Sequence, residues 1–223
     1  MKNMKTIDTI IFDAGGVLFY INEFRNQIIK RVLSSKGYEE KIIQKALLSA
    51  KQFDLNYFDN NGDIYTWQDE KKWLNDKYSH IANVVDKTNT ELADQLMILA
   101  FDTFQYKLFE DTINTLEKLK SKYNLSVLSN ATASLDWAFD YLDIRKYFDK
   151  VIISSYEKCN KPNKNLYIIA LNKLNKRPEQ CVFIDDRIEN IEAARELDIE
   201  SFHLVRDKGN TLKDFEDYLE DIN

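Results

Sequence analysis

Cysteine, proline and glycine are scarce in this sequence: two, two and five of 223 residues. Each scarcity excludes something. Cys159 and Cys181 are too few and too far apart for a disulfide framework or a tetrahedral zinc site, so both are expected as reduced small hydrophobes. No Pro/Gly-rich linker, internal repeat or low-complexity tract interrupts a chain that is 44% hydrophobic and 30% charged, the composition of an ordered globular protein. A net charge of −6 with no Lys/Arg run argues against a nucleic-acid surface, while a small phosphorylated ligand needs only a local positive field. No segment reaches about 18 uninterrupted apolar residues, so no membrane span is expected. Lys2 and Lys5 precede an apolar run broken by Asp8 and Asp13, which is not a secretory core, so the cytoplasm is the expected location. His80 and His203 stand in no ligand or catalytic spacing and read as incidental.

What is present starts with Ile10-Ile11-Phe12-Asp13-Ala14-Gly15-Gly16. A β-prone apolar run ends in a carboxylate, and two glycines follow. A buried strand thus delivers an acid to its tip, and the glycines let backbone approach whatever the acid binds.

Residues 6–12 form the first strand and residues 17–21 a flap or hairpin over its tip. From Asn22 the apolar period lengthens to that of a helix. Phe24, Ile28, Val32 and Leu33 share a face that stops at Gly37, and Ile42, Ile43, Ala46, Leu47 and Ala50 make the next stripe. Residues 60–63, Asn-Asn-Gly-Asp, mark a turn. Thr66 with Asp69, and Thr88 with Glu91, read as capping boxes, the second opening a helix with Leu92, Leu96, Leu99 and Thr103. Tyr57, Trp67 and Trp73 fall at helical spacing and read as bundle core. Arg25 and Arg31 read as a solvated helix face.

After Lys107 strands and helices alternate, with strands at 125–128, 151–153, 181–184 and 202–205. That alternation implies parallel pairing, with ligands bound beyond the carboxyl ends of the strands. The expected fold is therefore α/β: a Rossmann-like parallel sheet core, residues 1–19 and 107–223, discontinuous around an inserted helical bundle at 20–106.

Asp13, Ser129-Asn130, Lys161 and Asp185-Asp186 each lie where an apolar strand or its following loop ends. Individually they have plain readings: N-caps for Ser129 and Asn130, a surface lysine for Lys161. Together they converge on one sheet edge. A carboxylate nucleophile, a hydroxyl, a lysine and adjacent acids that call for a cation are the parts of a phosphoryl-transfer site. Pro162 also biases Lys161 away from helix, which suits a fixed charge.

The segments IIFDAGGVLF, VLSNAT, CNKPNKNLY and VFIDDRIENIEAA, in this order, resemble the four signature motifs of the haloacid dehalogenase superfamily. The resemblance extends over essentially the whole chain, since the bundle sits where that family carries its first-type helical cap domain. It implies a Mg²⁺-dependent phosphatase of a small phosphorylated metabolite, acting through an aspartyl-phosphate. By the resemblance Asp13 is the nucleophile and a metal ligand, and Gly15 lends the metal its carbonyl. Ser129 and Asn130 bind phosphate, Lys161 neutralises charge, Asp185 is a metal ligand, and Asp186 and Asn190 support it. One departure stands out: the family's first motif usually has a second acid where this chain has Gly15, which leaves the general acid missing. General acid catalysis is typically worth about 10²–10⁴ in rate. A dehalogenase-type hydrolase, whose halide leaving group needs no proton, and a catalytically reduced binding or regulatory module remain the alternatives.

Overall fold

The structure is a computed structural model and describes residues 7–100 and 105–222. Lys2, Lys5, Thr6 and Thr103 therefore lie outside the described residues. The chain divides into two compact units, Met1–Tyr20 with Tyr106–Asn223, and Ile21–Gln105. No helix among the described residues is long and apolar enough to cross a membrane.

The first unit is built on five parallel strands, β1 (Thr9–Phe12), β4 (Asn124–Ser129), β5 (Lys150–Ile153), β6 (Cys181–Asp185) and β7 (Glu200–His203), in the order β5-β4-β1-β6-β7. A separate ribbon pairs β2 (Phe19–Ile21) with β3 (Tyr106–Leu108), where the chain leaves this unit and returns. The sheet is buried on both faces, so its strands are almost continuously apolar. Successive side chains still alternate. Ile10, Phe12, Val127, Val182 and Ile184 pack on one face with α5 (Thr112–Lys120), α6 (Leu135–Tyr141) and α10 (Leu212–Ile222). Ile11, Leu128, Ile152 and Phe183 pack on the other with α8 (Lys164–Leu174) and α9 (Ile188–Arg195). A short helix, α7 (Ser154–Glu157), follows β5 directly. Burying an Ile or Phe completely stabilises by roughly 1.5–3 kcal/mol, and central β1 has such residues on both faces. The last strand begins at Glu200 rather than 202, because Glu200–His203 pairs with Val182–Asp185.

The second unit is helical: α1 (Arg25–Ser35), α2 (Glu40–Asn61), α3 (Trp67–Val85) and α4 (Leu92–Ala100). Its core joins Ile29, Leu33, Ile43, Ala46, Leu74, Tyr78, Ile81 and Leu96. The Thr66 box forms, with Asp69 N–H donating to Thr66 Oγ1 at 3.2 Å and Thr66 N–H to Asp69 Oδ2 at 3.0 Å. The Thr88 box does not: Asp86, two residues upstream, accepts from both the N–H and the hydroxyl of Thr88. Phe24 is exposed, because it is the N-cap of α1 rather than part of its stripe, and Ile28, Ile29 and Leu33 are the buried residues. Asn60 and Asn61 remain helical, and the turn falls at Gly62, whose φ is +73°. Trp73, half-buried, donates through Nε1 to Asp54 at 2.9 Å. His80 has structural partners within the bundle: its Nε2 lies 2.6 Å from Ser49 Oγ and its ring stacks on Phe53. Arg31 pairs with Glu23, and Arg25 lies 3.9 Å from the buried Glu70.

One polar clamp fastens the carboxyl-terminal part of the first unit to the loop after β1. Arg206 forks onto both oxygens of Asp111 at 3.0 and 3.1 Å, donates to the Val17 carbonyl at 2.6 Å and lies 3.7 Å from the Phe109 ring centre. Asp111 also accepts from Leu212 N–H at 2.8 Å, the start of α10. Truncation takes the guanidinium from Asp111 and from the Val17 carbonyl, leaving Asp111 only the Leu212 N–H, and hydrogen bonds to charged groups are worth about 1.5–3 kcal/mol. Arg206→Ala is expected to lower the melting temperature by about 4–8 °C, measured calorimetrically.

Candidate active site

The alternation of the sheet decides which side chains meet. Asp13 follows Ile11, and Asp185 follows Phe183, on the face covered by α8 and α9. Lys161 lies just ahead of α8 on that same side. Asp13 N–H donates to the Ile184 carbonyl at 2.8 Å, so the pairing of β1 with β6 runs up to the acid itself.

Lys161 is the centre of the cluster. Its Nζ is 2.8 Å from Asp13 Oδ1, 2.6 Å from Asp185 Oδ2 and 2.8 Å from the Leu128 carbonyl. The three ammonium donors thus have three acceptors. The lysine side chain is 1% exposed, Asp185 fully buried and Asp13 nearly so. The Phe183 ring lies 5.2 Å from the same nitrogen. Burial alone would lower the lysine pKa, but the carboxylates of Asp13 and Asp185 overcome it and hold the group above its ordinary value. Burial, reinforced by the Asp185 charge, raises Asp13 despite the lysine.

Asn130, expected on phosphate, has its side chain hydrogen-bonded to the Lys161 backbone. Lys161 N–H donates to Asn130 Oδ1 at 2.7 Å and Asn130 Nδ2 to the Lys161 carbonyl at 2.8 Å. Ser129 ends β4 buried, and its hydroxyl has no hydrogen-bond partner among the described residues. Asn190, in the first turn of α9, donates through Nδ2 to both oxygens of Asp185 at 3.0 and 3.1 Å, and Arg187 N–H adds 2.8 Å to Oδ1. Tyr167 was not legible as part of this network: from α8 its hydroxyl donates to the Asn190 carbonyl at 2.8 Å. Its only sequence signal is an aromatic at helical spacing, which reads as core. His203 has Nε2 3.0 Å from the Asp186 carbonyl.

Asp186 completes the cluster. Carboxylate oxygens of Asp13, Asp185 and Asp186 lie within 4.8 Å of one another. Gly16, at φ +80°, makes this possible, since a Cβ there would sit 2.4 Å from Asp186 Oδ2. Gly15 is different: a Cβ would meet nothing within 4 Å. Burial, then the charges of Asp13 and Asp185, push Asp186 up to about 6. Three carboxylates against one ammonium leave a local surplus of two negative charges at full ionisation. A set of hard oxygen donors with that surplus fits a divalent cation such as Mg²⁺.

The family model for haloacid dehalogenase-like hydrolases matches residues 7–198. A phosphorylated carbohydrates phosphatase of Thermotoga maritima is 23% identical over 204 residues, 89% of this chain and 85% of that protein. Among solved structures, 2-haloacid dehalogenase of Pseudomonas syringae superposes with a TM-score of 0.69 at 15% identity, over 92% of this chain and 89% of that one. A haloacid dehalogenase family enzyme of Bacteroides thetaiotaomicron, in complex with magnesium and inorganic phosphate, superposes with a TM-score of 0.57 at 18% identity, over 89% and 94%.

Removing the lysine leaves adjacent buried carboxylates without a cation, the costly half of breaking a buried ion pair. Lys161→Met is expected to lower unfolding free energy in chelator by about 3–5 kcal/mol, read by urea denaturation. The raised Asp186 pKa fixes a sign as well. Between about pH 4 and pH 6 the folded chain holds a proton that the unfolded chain has released, so this residue's contribution to stability is lost as pH rises through that window. Asp186→Asn is expected to flatten the decline, measured as melting temperature against pH in chelator.

Proposed function

The chain belongs to the haloacid dehalogenase-like hydrolases, and from that premise we propose that it is a Mg²⁺-dependent phosphatase of small phosphorylated metabolites, with Asp13 as nucleophile. The observation that carries this reading is the buried Lys161 shared by Asp13 and Asp185 beside a third acid, Asp186. Asp13, Asp185, Asp186 and the Gly15 carbonyl would hold Mg²⁺, which when bound supplies charge neutralisation for the transferring oxygens. Asp13 is fixed by Lys161, so its carboxylate attacks phosphorus without first being reoriented. An Asp13 oxygen forms the new P–O bond while the bond to the leaving oxygen breaks, and water then cleaves the aspartyl-phosphate and restores Asp13. Ser129, with its unoccupied hydroxyl, binds the phosphoryl group. Asn130 positions Lys161, and Asn190 positions Asp185 with Tyr167 behind it. The phosphorylated carbohydrates phosphatase relative supports the substrate class, and the magnesium and phosphate of the Bacteroides structure support the ion.

The dehalogenase alternative is weakened by Asp185 and Asp186, because attack on carbon with departure of halide has no use for a cation-binding acid cluster. Halide release from 2-haloacids, insensitive to chelator, would establish it instead.

Purified protein with Mg²⁺ is expected to release phosphate from a panel of sugar and small-metabolite phosphates, and Asp13→Asn to abolish release by more than about 10³-fold. Phosphate release by Asp13→Asn equal to that of the parent overturns the proposal. Gly15→Asp adds an acid where the structure has open space. It is expected to raise turnover of alkyl phosphates, whose leaving oxygen needs a proton, by about 10²-fold. Aryl phosphates of low leaving-group pKa should change far less, which is checked by comparing rates across leaving groups.

A further inference from the structure

The register that gathers acids at the carboxyl edge of the sheet gathers a different set at the other edge. On the face covered by α8, Ile11, Leu128 and Ile152 form the apolar layer, and two residues earlier on each strand stand Thr9, Ser126 and Lys150. Ser126 lies between Ile11 and Lys150 in the pairing. A cavity of about 320 Å³ opens here beside the end of α8, lined among others by Thr9, Ser126, Lys150, Lys173 and Lys176. Asp13 is four residues up β1 from Thr9, about 13 Å at the rise of a strand, so this is not the acid cluster.

Two observations call for a ligand. Ser126 is fully buried and its Oγ has no hydrogen-bond partner, whereas buried hydroxyls are normally satisfied. Three of the lining side chains are lysines and one, Asp149, is acidic, in a chain whose net charge is −6. Part of that basicity has another explanation. Lys173 pairs with Glu157 in the last turn of α8, where a cation favours the helix end, and Lys176 pairs with Asp8 at 2.8 Å. Asp149 is paired with Lys120. Lys150 has no ion-pair partner among the described residues, and the register that sets it beside Ser126 leaves the buried hydroxyl without a hydrogen-bond partner.

We propose that this cavity binds a small phosphate-bearing anion, with Lys150 supplying the charge and Ser126 the hydroxyl at its floor. The site is separate from the acid cluster and does not depend on the activity proposed for it.

The test is titration of ¹⁵N-labelled protein in EDTA at constant ionic strength, with inorganic phosphate in one arm and glycerol 3-phosphate in the other. Saturable shifts are expected at the amides of Ser126, Lys150 and Leu174. Lys150→Met should weaken them about fivefold, the loss of one charge contact. Ser126→Ala, which removes only the hydroxyl, should weaken them about threefold, and Asp13→Asn should leave them unchanged. Tighter binding in the glycerol phosphate arm identifies a phosphorylated metabolite as the occupant, and equal or weaker binding identifies free phosphate. Shifts confined to residues near Asp13 and Ser129, shifts that never saturate, or shifts indifferent to Lys150→Met overturn the proposal and leave a cavity that holds only water.

Discussion

A single buried ammonium holds the first unit's carboxyl edge together. Lys161 is almost without solvent, and it is tolerated there because two carboxylates and a carbonyl satisfy all three of its protons. The dependence is mutual. Asp185 has no exposure of its own, and its oxygens are met by Lys161, the Asn190 amide and the Arg187 N–H. An isolated buried charge of either sign would shift its pKa and neutralise. Each side chain of this pair supplies the hydrogen-bond partner that the other's burial requires, and the loop carrying Lys161 is fixed by the two hydrogen bonds of Asn130.

The convergence of these residues was legible because strand periodicity leaves little choice. Apolar runs ending in polar residues at Asp13, Ser129 and Asp185 mark the carboxyl ends of parallel strands, and period two then assigns Asp13 and Asp185 to the same face. The sheet order itself was not legible, since alternation fixes parallel pairing without saying that β1 lies between β4 and β6. Nor were the employments of the side chains. Asn130 and Ser129 are neighbours with equal claims as polar strand-end groups, yet the backbone aims one at Lys161 and leaves the other's hydroxyl unoccupied. Tyr167 enters through the packing of α8 on α9, a tertiary fact with no local signature.

In the helical unit the failures share a cause. Phe24 and Thr88 were read from spacing alone, and in both cases a neighbouring side chain took the backbone N–H. Gln27 reaches back to the Phe24 N–H, making Phe24 the N-cap and turning it out of the stripe. Asp86 captures Thr88 before Glu91 can. The Thr66 box was legible because Thr66 and Asp69 bond each other reciprocally and no acid stands two residues upstream to take the Thr66 N–H. Capping motifs are dependable in sequence when local competitors are absent.

Gly15 and Gly16 are chemically identical and adjacent, yet they are constrained in opposite ways. Gly16 has a left-handed backbone and stands against Asp186, so any side chain there would displace an acid of the cluster. Sterics alone keep it glycine. Gly15 has neither constraint: its φ is ordinary and the space beyond its Cα is open. Room for a Cβ therefore does not set the absence of a side chain at 15, which turns attention to the chemistry of what binds. A leaving group that departs without a proton would make an acid there superfluous, whereas an alkoxide leaving group would make its absence expensive by the several kcal/mol that proton transfer contributes to such a step. The open space at Gly15 thus bears on the choice of substrate, while the crowding at Gly16 bears only on the integrity of the acid cluster.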